Sequence, residues 1–264
     1  RLPRGERVGD VLIAHAGSRA RELGVVELEL LPPSAPDERP RVSSKARLAP
    51  TTDDLEAVLA PHIALVAEEA GQRVGRLVNP LSRAAPLGEV SSPLGNLVTD
   101  RMRAASQADL AFQNKGGLRA SLRSGEVSFR DVYEVLPFGN TLVTVQLTGA
   151  QILEAFETMF RIGGASMLEV SGAQVLFDLE RTAGNRVLRV TVGGARLDPG
   201  RTYTVAMNNF LSGGKDGFTM FAQGKQRRDT GRTVRSLLRA FLSENSPHSS
   251  GPLERRYKRL SGGG

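Results

Sequence analysis

Hydrophobic and polar positions along this chain alternate between a period of two and a period of three to four. The pattern predicts strands and helices that interleave irregularly. Gly9–Ala14 and Gly24–Leu30 read as two strands around a loop, the second with strict alternation. Residues 32–50 are rich in Pro, Ser and Arg without a period and read as a linker or irregular edge. Thr52-Asp53-Asp54 offers caps for a helix to about Gly71, with Leu55, Val58, Leu59, Ile63 and Val66 at helical spacing. Arg73–Pro80 predicts a strand, Pro93–Met102 the start of a helix, and Ala108–Phe112 a buried strand that breaks into Asn114-Lys115-Gly116-Gly117. Ser128 caps a short helix that Pro137 stops, which leaves Phe138 on a turn.

Beyond that point Thr141–Leu147 predicts a strand and Ala150–Arg161 an amphipathic helix striped by Ile152, Leu153, Phe156 and Phe160. Strands follow around 168–178, 186–192 and 202–207, a helix over Thr233–Ser243, and loose segments at Pro247–Pro252 and in the last glycines. No internal repeat is visible. The pattern is that of an α+β fold, a mixed β-sheet with packed helices, rather than a doubly wound one.

Composition narrows the function classes. With 264 residues, 40% of them hydrophobic, the chain can bury a sizeable core. No run approaches the ~18 apolar residues of a membrane span. The absence of cysteine excludes disulfides, thiolate metal sites and a cysteine nucleophile. A net charge of +7 and a pI near 10.3 suggest anionic partners. The cations are scattered rather than banked, so a specific nucleic-acid partner is not expected, and a basic nucleic-acid binder is the weakest of the readings. The chain begins with Arg1 and shows no signal peptide, as expected of a processed chain or a fragment without its N-terminal part.

Candidate chemistry gathers in Gln113–Asn140. Paired glycines allow a sharp turn and close approach to a ligand, and Arg119 follows as a fixed cation. Phe138 and Phe210 each stand beside Asn and Gly where a strand or helix gives way to loop. An isolated phenylalanine at such a place caps the core; two of them can instead sandwich a planar base. The histidines His15, His62 and His248 fit no metal-ligand spacing, and Gly213-Gly214-Lys215-Asp216-Gly217 lacks the phosphate-loop spacing. The residues alone yield an anion-plus-ring binding module with no catalytic residue and no metal ligand.

Six motifs occur together: P-L-G-N-L-V-T-D (93–100), Q-N-K-G-G-L-R (113–119), V-L-P-F-G-N (135–140), L-T-G (147–149), V-S-G (170–172) and N-F-L-S-G-G-K-D-G-F (209–218). Their order and spacing resemble the C-terminal substrate-binding domain of the 5′-nucleotidase family, which includes bacterial 5′-nucleotidase/UDP-sugar hydrolases and ecto-5′-nucleotidase. The resemblance implies three parts: residues 1–50 as the remnant of a metallophosphatase domain, 51–72 as an inter-domain linker helix on which domains rotate, and 73–260 as the substrate-binding domain. It implies a nucleotide or nucleoside as the small-molecule partner, and a periplasmic, cell-surface or secreted location. It also implies a pair of divalent metal ions (Zn, Mn or similar) held by an N-terminal domain absent from this chain.

Carried onto this sequence, the resemblance assigns Asn114 and Arg119 to the substrate phosphate and Phe138 and Phe210 to the nucleobase. Asn209 would lie beside the base and Asp216 would accept from the ribose hydroxyls. A further family arginine, a little upstream of the P-L-G-N helix, has no match in register, and Arg83 is the only nearby candidate. Lys115 and Lys215 stand where the family has glycine, so their loops are expected to be distorted or to carry extra positive charge toward phosphate. The implied activity is hydrolysis of nucleoside phosphate monoesters by the intact protein, with this chain alone inactive. The alternatives are a non-catalytic nucleoside module and a related cyclic-nucleotide or nucleotide-sugar phosphohydrolase.

Overall fold

The computed structural model describes residues 67–162 and 167–260, together with the backbone of strands at 2–8, 11–15, 22–31 and 41–50. The chain divides into two compact units, Arg1–Glu68 and Glu69–Gly264. The helix expected over 52–71 lies outside the described residues except for its helical end at 67–71.

In the first unit, β1 (Leu2–Val8) pairs antiparallel with β2 (Val11–His15), and β3 (Glu22–Leu31) with β4 (Arg41–Pro50). Residues 41–50 therefore form a regular strand where the sequence predicts a linker or irregular edge. Val42, Ala46 and Leu48 do sit at even spacing, but Ser44 interrupts the alternation and charged residues surround it. An unbroken register from Glu22↔Pro50 to Leu31↔Arg41 supplies the order that local propensity lacks.

The second unit is built on a five-stranded mixed sheet in the order β14-β8-β13-β6-β9. These strands are Lys225–Thr233, Thr141–Thr148, Thr202–Asn208, Leu110–Asn114 and Leu168–Ser171 respectively. Only the β13–β6 pair is parallel. Period two divides the strands between two cores. Leu110, Phe112, Val143, Val145, Val205 and Met207 pack on one face, against Ile152, Phe156 and Phe160 of helix α3 (Gly149–Ile162). Ala111, Leu142 and Ala206 face the other side, toward helices α1 (Pro93–Ser106), α2 (Phe129–Val135) and α5 (Val234–Glu244). A helix of one turn, α4 (Asn209–Ser212), lies between α3 and α5 in the chain.

Both faces are thus covered, which suits the wholly buried β6 at the sheet's interior. Ser92 caps α1 by accepting from the Gly95 amide at 3.0 Å, with Pro93 opening the helix. Ser128 and Asp131 form a reciprocal capping box on α2.

The single strand expected around 168–178 is two strands. Gly172 has φ +82°, and a Cβ there would lie 2.2 Å from the Asp109 carbonyl, so only glycine fits. β9 stays in the main sheet, while β10 (Ala173–Phe177) starts a second sheet with β11 (Val187–Val192), β12 (Ala195–Arg196) and β15 (Tyr257–Arg259). A strand pair, β5 (Arg73–Leu77) with β7 (Gly125–Ser128), completes the unit. The segment 247–252, expected to be loose, is tied to β5: His248 exchanges backbone bonds with Arg76 and Val78 at 2.8 Å, and the Ser250 amide donates to Asn79 Oδ1 at 3.0 Å. Those partners lie about 170 positions upstream, beyond the reach of a local reading.

Candidate functional site

Strand register brings the candidate residues to one end of the main sheet. Met207 faces Phe112 across the parallel pair, and Asn208 faces Leu142 across the antiparallel pair. The C-terminal ends of β6 and β13 and the N-terminal end of β8 therefore coincide. Asn114 ends β6, Asn209 and Phe210 follow β13 on α4, and Phe138 precedes β8 by three residues. Arg119 joins them because its backbone N–H donates to Val135 O at the end of α2, 2.8 Å away. Asp216 is tied in directly, accepting from Asn114 Nδ2 at 2.9 Å.

The two rings are exposed, Phe138 by 50% and Phe210 by 39%, in a chain whose other phenylalanines line its cores or pack partly buried. Neither ring caps the core. Phe138 sits on a loop and Phe210 on the short helix α4, and an arginine fastens each. Arg235 Nη1 donates to the carbonyls of Leu136 and Pro137 at 3.0 and 3.3 Å, and its guanidinium lies 4.3 Å from the Tyr133 ring centre. Arg227 Nη1 donates to Ser212 O at 3.2 Å, at the end of α4. Arg119 itself is exposed, bonds only the Gly116 carbonyl at 3.2 Å through its side chain, and has no acidic partner among the described residues. Its charge is open to an anion.

Asn114 is more constrained than a plain phosphate contact would be. Its Oδ1 accepts from Asn208 Nδ2 at 2.9 Å and Gln113 Nε2 at 3.2 Å, and its Nδ2 gives one proton to Asp216. One N–H remains for a ligand. The turn beneath it, Lys115–Gly117, is a single 3₁₀ turn, and a Cβ at Gly117 would lie 2.4 Å from Gln113 Nε2, so that amide would have to move. Asp216 has φ +55°, between Gly214 and Gly217 that are also left-handed. A short polar side chain tolerates that backbone. Asn209 keeps a buried Oδ1 with no hydrogen-bond partner.

Lys115 departs from the expectation of extra charge toward phosphate. Its backbone has no positive φ, so its position in the turn does not call for glycine. Its ammonium turns inward, to the Val90 carbonyl and to Glu169, 3.5 Å away, rather than outward. Glu169 is fully buried and also accepts from Ser92 Oγ at 2.6 Å and from the Ser92 amide. Burial holds the Glu169 carboxyl above its ordinary value, while Lys115 and Ser92 pull it down. Lys215 also lacks a positive φ but is exposed. Arg83 is exposed, its amide bonded to Ser121 Oγ.

Gln113, Asn208, Arg227, Arg235 and Glu169 escape a sequence reading. Only Asn208 leaves a signal: an asparagine between a strand and a short apolar turn is a helix cap. A hollow of about 590 Å³ lined by Leu153, Val190, Arg196 and Pro199 lies between α3 and the second sheet, and none of the six candidate residues lines it.

One end of the covered mixed sheet thus presents two exposed rings, an arginine without an acidic partner among the described residues and an aspartate anchored by Asn114. The chain belongs to the 5′-nucleotidase family: residues 73–223 match that family's C-terminal domain. It is similar in structure to a 5′-nucleotidase precursor from Thermus thermophilus, with a TM-score of 0.69 and 34% identity, covering 95% of this chain and 52% of that one. In sequence it is 34% identical over 179 residues to a trifunctional nucleotide phosphoesterase protein of Bacillus subtilis, covering 63% of this chain and 12% of that protein. It is 32% identical over 200 residues to a cell wall protein of Listeria monocytogenes, covering 68% of this chain and 25% of that protein. The chain thus spans about half the length of the solved relative and a quarter or less of these curated ones.

Proposed function

We propose that the unit Glu69–Gly264 recognises a nucleotide, as the substrate-binding part of a 5′-nucleotidase-type phosphohydrolase. The observation that carries this reading is the convergence of Arg119, Asp216 and two exposed phenylalanines at one end of a single sheet. Phe138 and Phe210 stack on the base from a loop fastened by Arg235 and a helical turn fastened by Arg227, each stack contributing about 1–3 kcal/mol. Asn209 lies beside the base. Arg119 donates charge-assisted bonds to the phosphate, joined by the remaining N–H of Asn114, and Asp216 accepts from the ribose hydroxyls.

Bond breaking is a separate matter. A divalent metal pair, when bound, would supply an activated water and neutralise developing phosphate charge. Among the described residues no three His, Cys, Asp or Glu side chains gather to hold a metal ion, so these residues do not fit such a centre. We assign them binding and orientation alone. No helix among the described residues is long and apolar enough to cross a membrane. The likeness to a cell wall protein supports a location outside the cytoplasm.

Calorimetry with AMP, adenosine and ribose 5-phosphate tests the reading. AMP should bind tightest, and adenosine should retain measurable affinity through the rings. Ribose 5-phosphate binding as tightly as AMP would refute the base clamp.

A further inference from the structure

We infer that Asn208 is a positioning residue that sets ribose recognition by orienting Asn114 and, through it, Asp216. The inference rests on the nucleoside-site reading above. Asn208 is fully buried at the end of β13, and both of its amide protons are spent. Its Oδ1 accepts from the Leu211 amide at 2.8 Å and so caps the turn that carries Asn209 and Phe210. Its Nδ2 gives one proton to Gln113 Oε1 at 3.0 Å and the other to Asn114 Oδ1 at 2.9 Å.

Those two donations decide which way the Asn114 amide points. Gln113, its own Oε1 held by Asn208, turns Nε2 toward Asn114, 3.2 Å from Oδ1 and 3.1 Å from the backbone carbonyl. With two donors converging on its oxygen, Asn114 must present its nitrogen on the opposite side, where it donates to Asp216 Oδ2 at 2.9 Å. A flipped Asn114 would set its oxygen against the Asp216 carboxylate and its nitrogen against the Asn208 and Gln113 nitrogens, three like contacts in a site where Asn114 is buried. Asp216 is exposed and left-handed, and the Asn114 N–H is the one side-chain bond it makes among the described residues. One buried amide therefore links the ring-bearing turn to the ribose-facing carboxylate.

Two substitutions separate these roles. Asn208→Ser retains a capping oxygen but is too short to hold Gln113 and Asn114, whereas Asn208→Ala removes both functions. The readout is the ratio of affinities for adenosine and 2′,3′-dideoxyadenosine, measured by calorimetry on the full chain, with thermal melting alongside. Wild type should prefer adenosine by about tenfold, the scale of one hydrogen bond to a charged group. In Asn208→Ser the preference should collapse while affinity for the dideoxy compound stays within about twofold, because the cap survives. Adding Asp216→Ala to Asn208→Ser should change the ratio no further.

If the Ala variant fails to fold, the Ser variant carries the test. A Ser variant that keeps the wild-type ratio overturns the role of Asn208 and leaves the nucleoside site standing. Wild type that binds both compounds equally overturns ribose recognition by Asp216, and this inference with it, but not the ring clamp. Wild type that binds neither refutes the nucleoside site itself.

Discussion

Replacing Lys115 with methionine removes the only cation within 4.0 Å of a fully buried carboxylate among the described residues. The two charges lie 3.5 Å apart, an attraction of about 5 kcal/mol at an effective dielectric constant near 20. Severing a buried pair from one side costs about 3–5 kcal/mol. Glu169 has an escape, because it can take a proton. Holding it protonated costs about 1.4 kcal/mol for each pH unit above its ordinary value of 4.5.

The folded variant therefore binds a proton that the unfolded chain has released, and its stability falls as pH rises from 4.5 through the raised folded value. The expected loss is about 1 kcal/mol at pH 5, growing to about 2–4 kcal/mol at pH 8. Ser92 moderates it by continuing to bond the carboxylate. Urea unfolding of wild type and Lys115→Met between pH 5 and 8 measures the difference. Adding Glu169→Gln should recover most of the loss and flatten the pH dependence. A deficit that does not change with pH, or none at pH 8, would refute the buried ion pair.

Further outcomes follow from the site. Gly117→Ala forces a Cβ to within 2.4 Å of Gln113 Nε2, so the amide network must shift. It should cost about 1–3 kcal/mol in denaturant unfolding and weaken adenosine binding. Arg235→Ala releases two backbone carbonyls next to Phe138 and the stack on Tyr133. Calorimetry should show adenosine affinity down by about three- to tenfold, with melting changed by only a few degrees.

Elements whose own residues carry apolar period and caps were legible in the sequence. α1 shows Ser92-Pro93 and a one-sided stripe, α2 its Ser128 cap, and β8 and β13 their alternation. Elements that depend on distant partners were not. β14 is an edge strand with eight of its nine residues exposed and no hydrophobic pattern, ordered by pairing with β8. Segment 247–252 is held by β5 and Asn79, which no local signal announces. The same divide runs through the site. The glycine turn, Arg119 and the two phenylalanines stand out by residue type and position. The inward turn of Lys115 and the orienting role of Asn208 depend on which side chains the folded sheet places opposite them, Glu169 on β9 and Asn114 on β6. Lys115 illustrates the cost of reading charge without depth: a cation in a glycine-rich turn is spent on an internal carboxylate.

In the proposed site the exposed rings of Phe138 and Phe210 hold a base. Titrating adenosine into wild type, Phe138→Ala and Phe210→Ala by calorimetry tests it most directly. Each substitution should weaken binding by about 1–3 kcal/mol while melting stays near wild type, because neither ring belongs to either hydrophobic core. Unchanged adenosine affinity in both variants would contradict it.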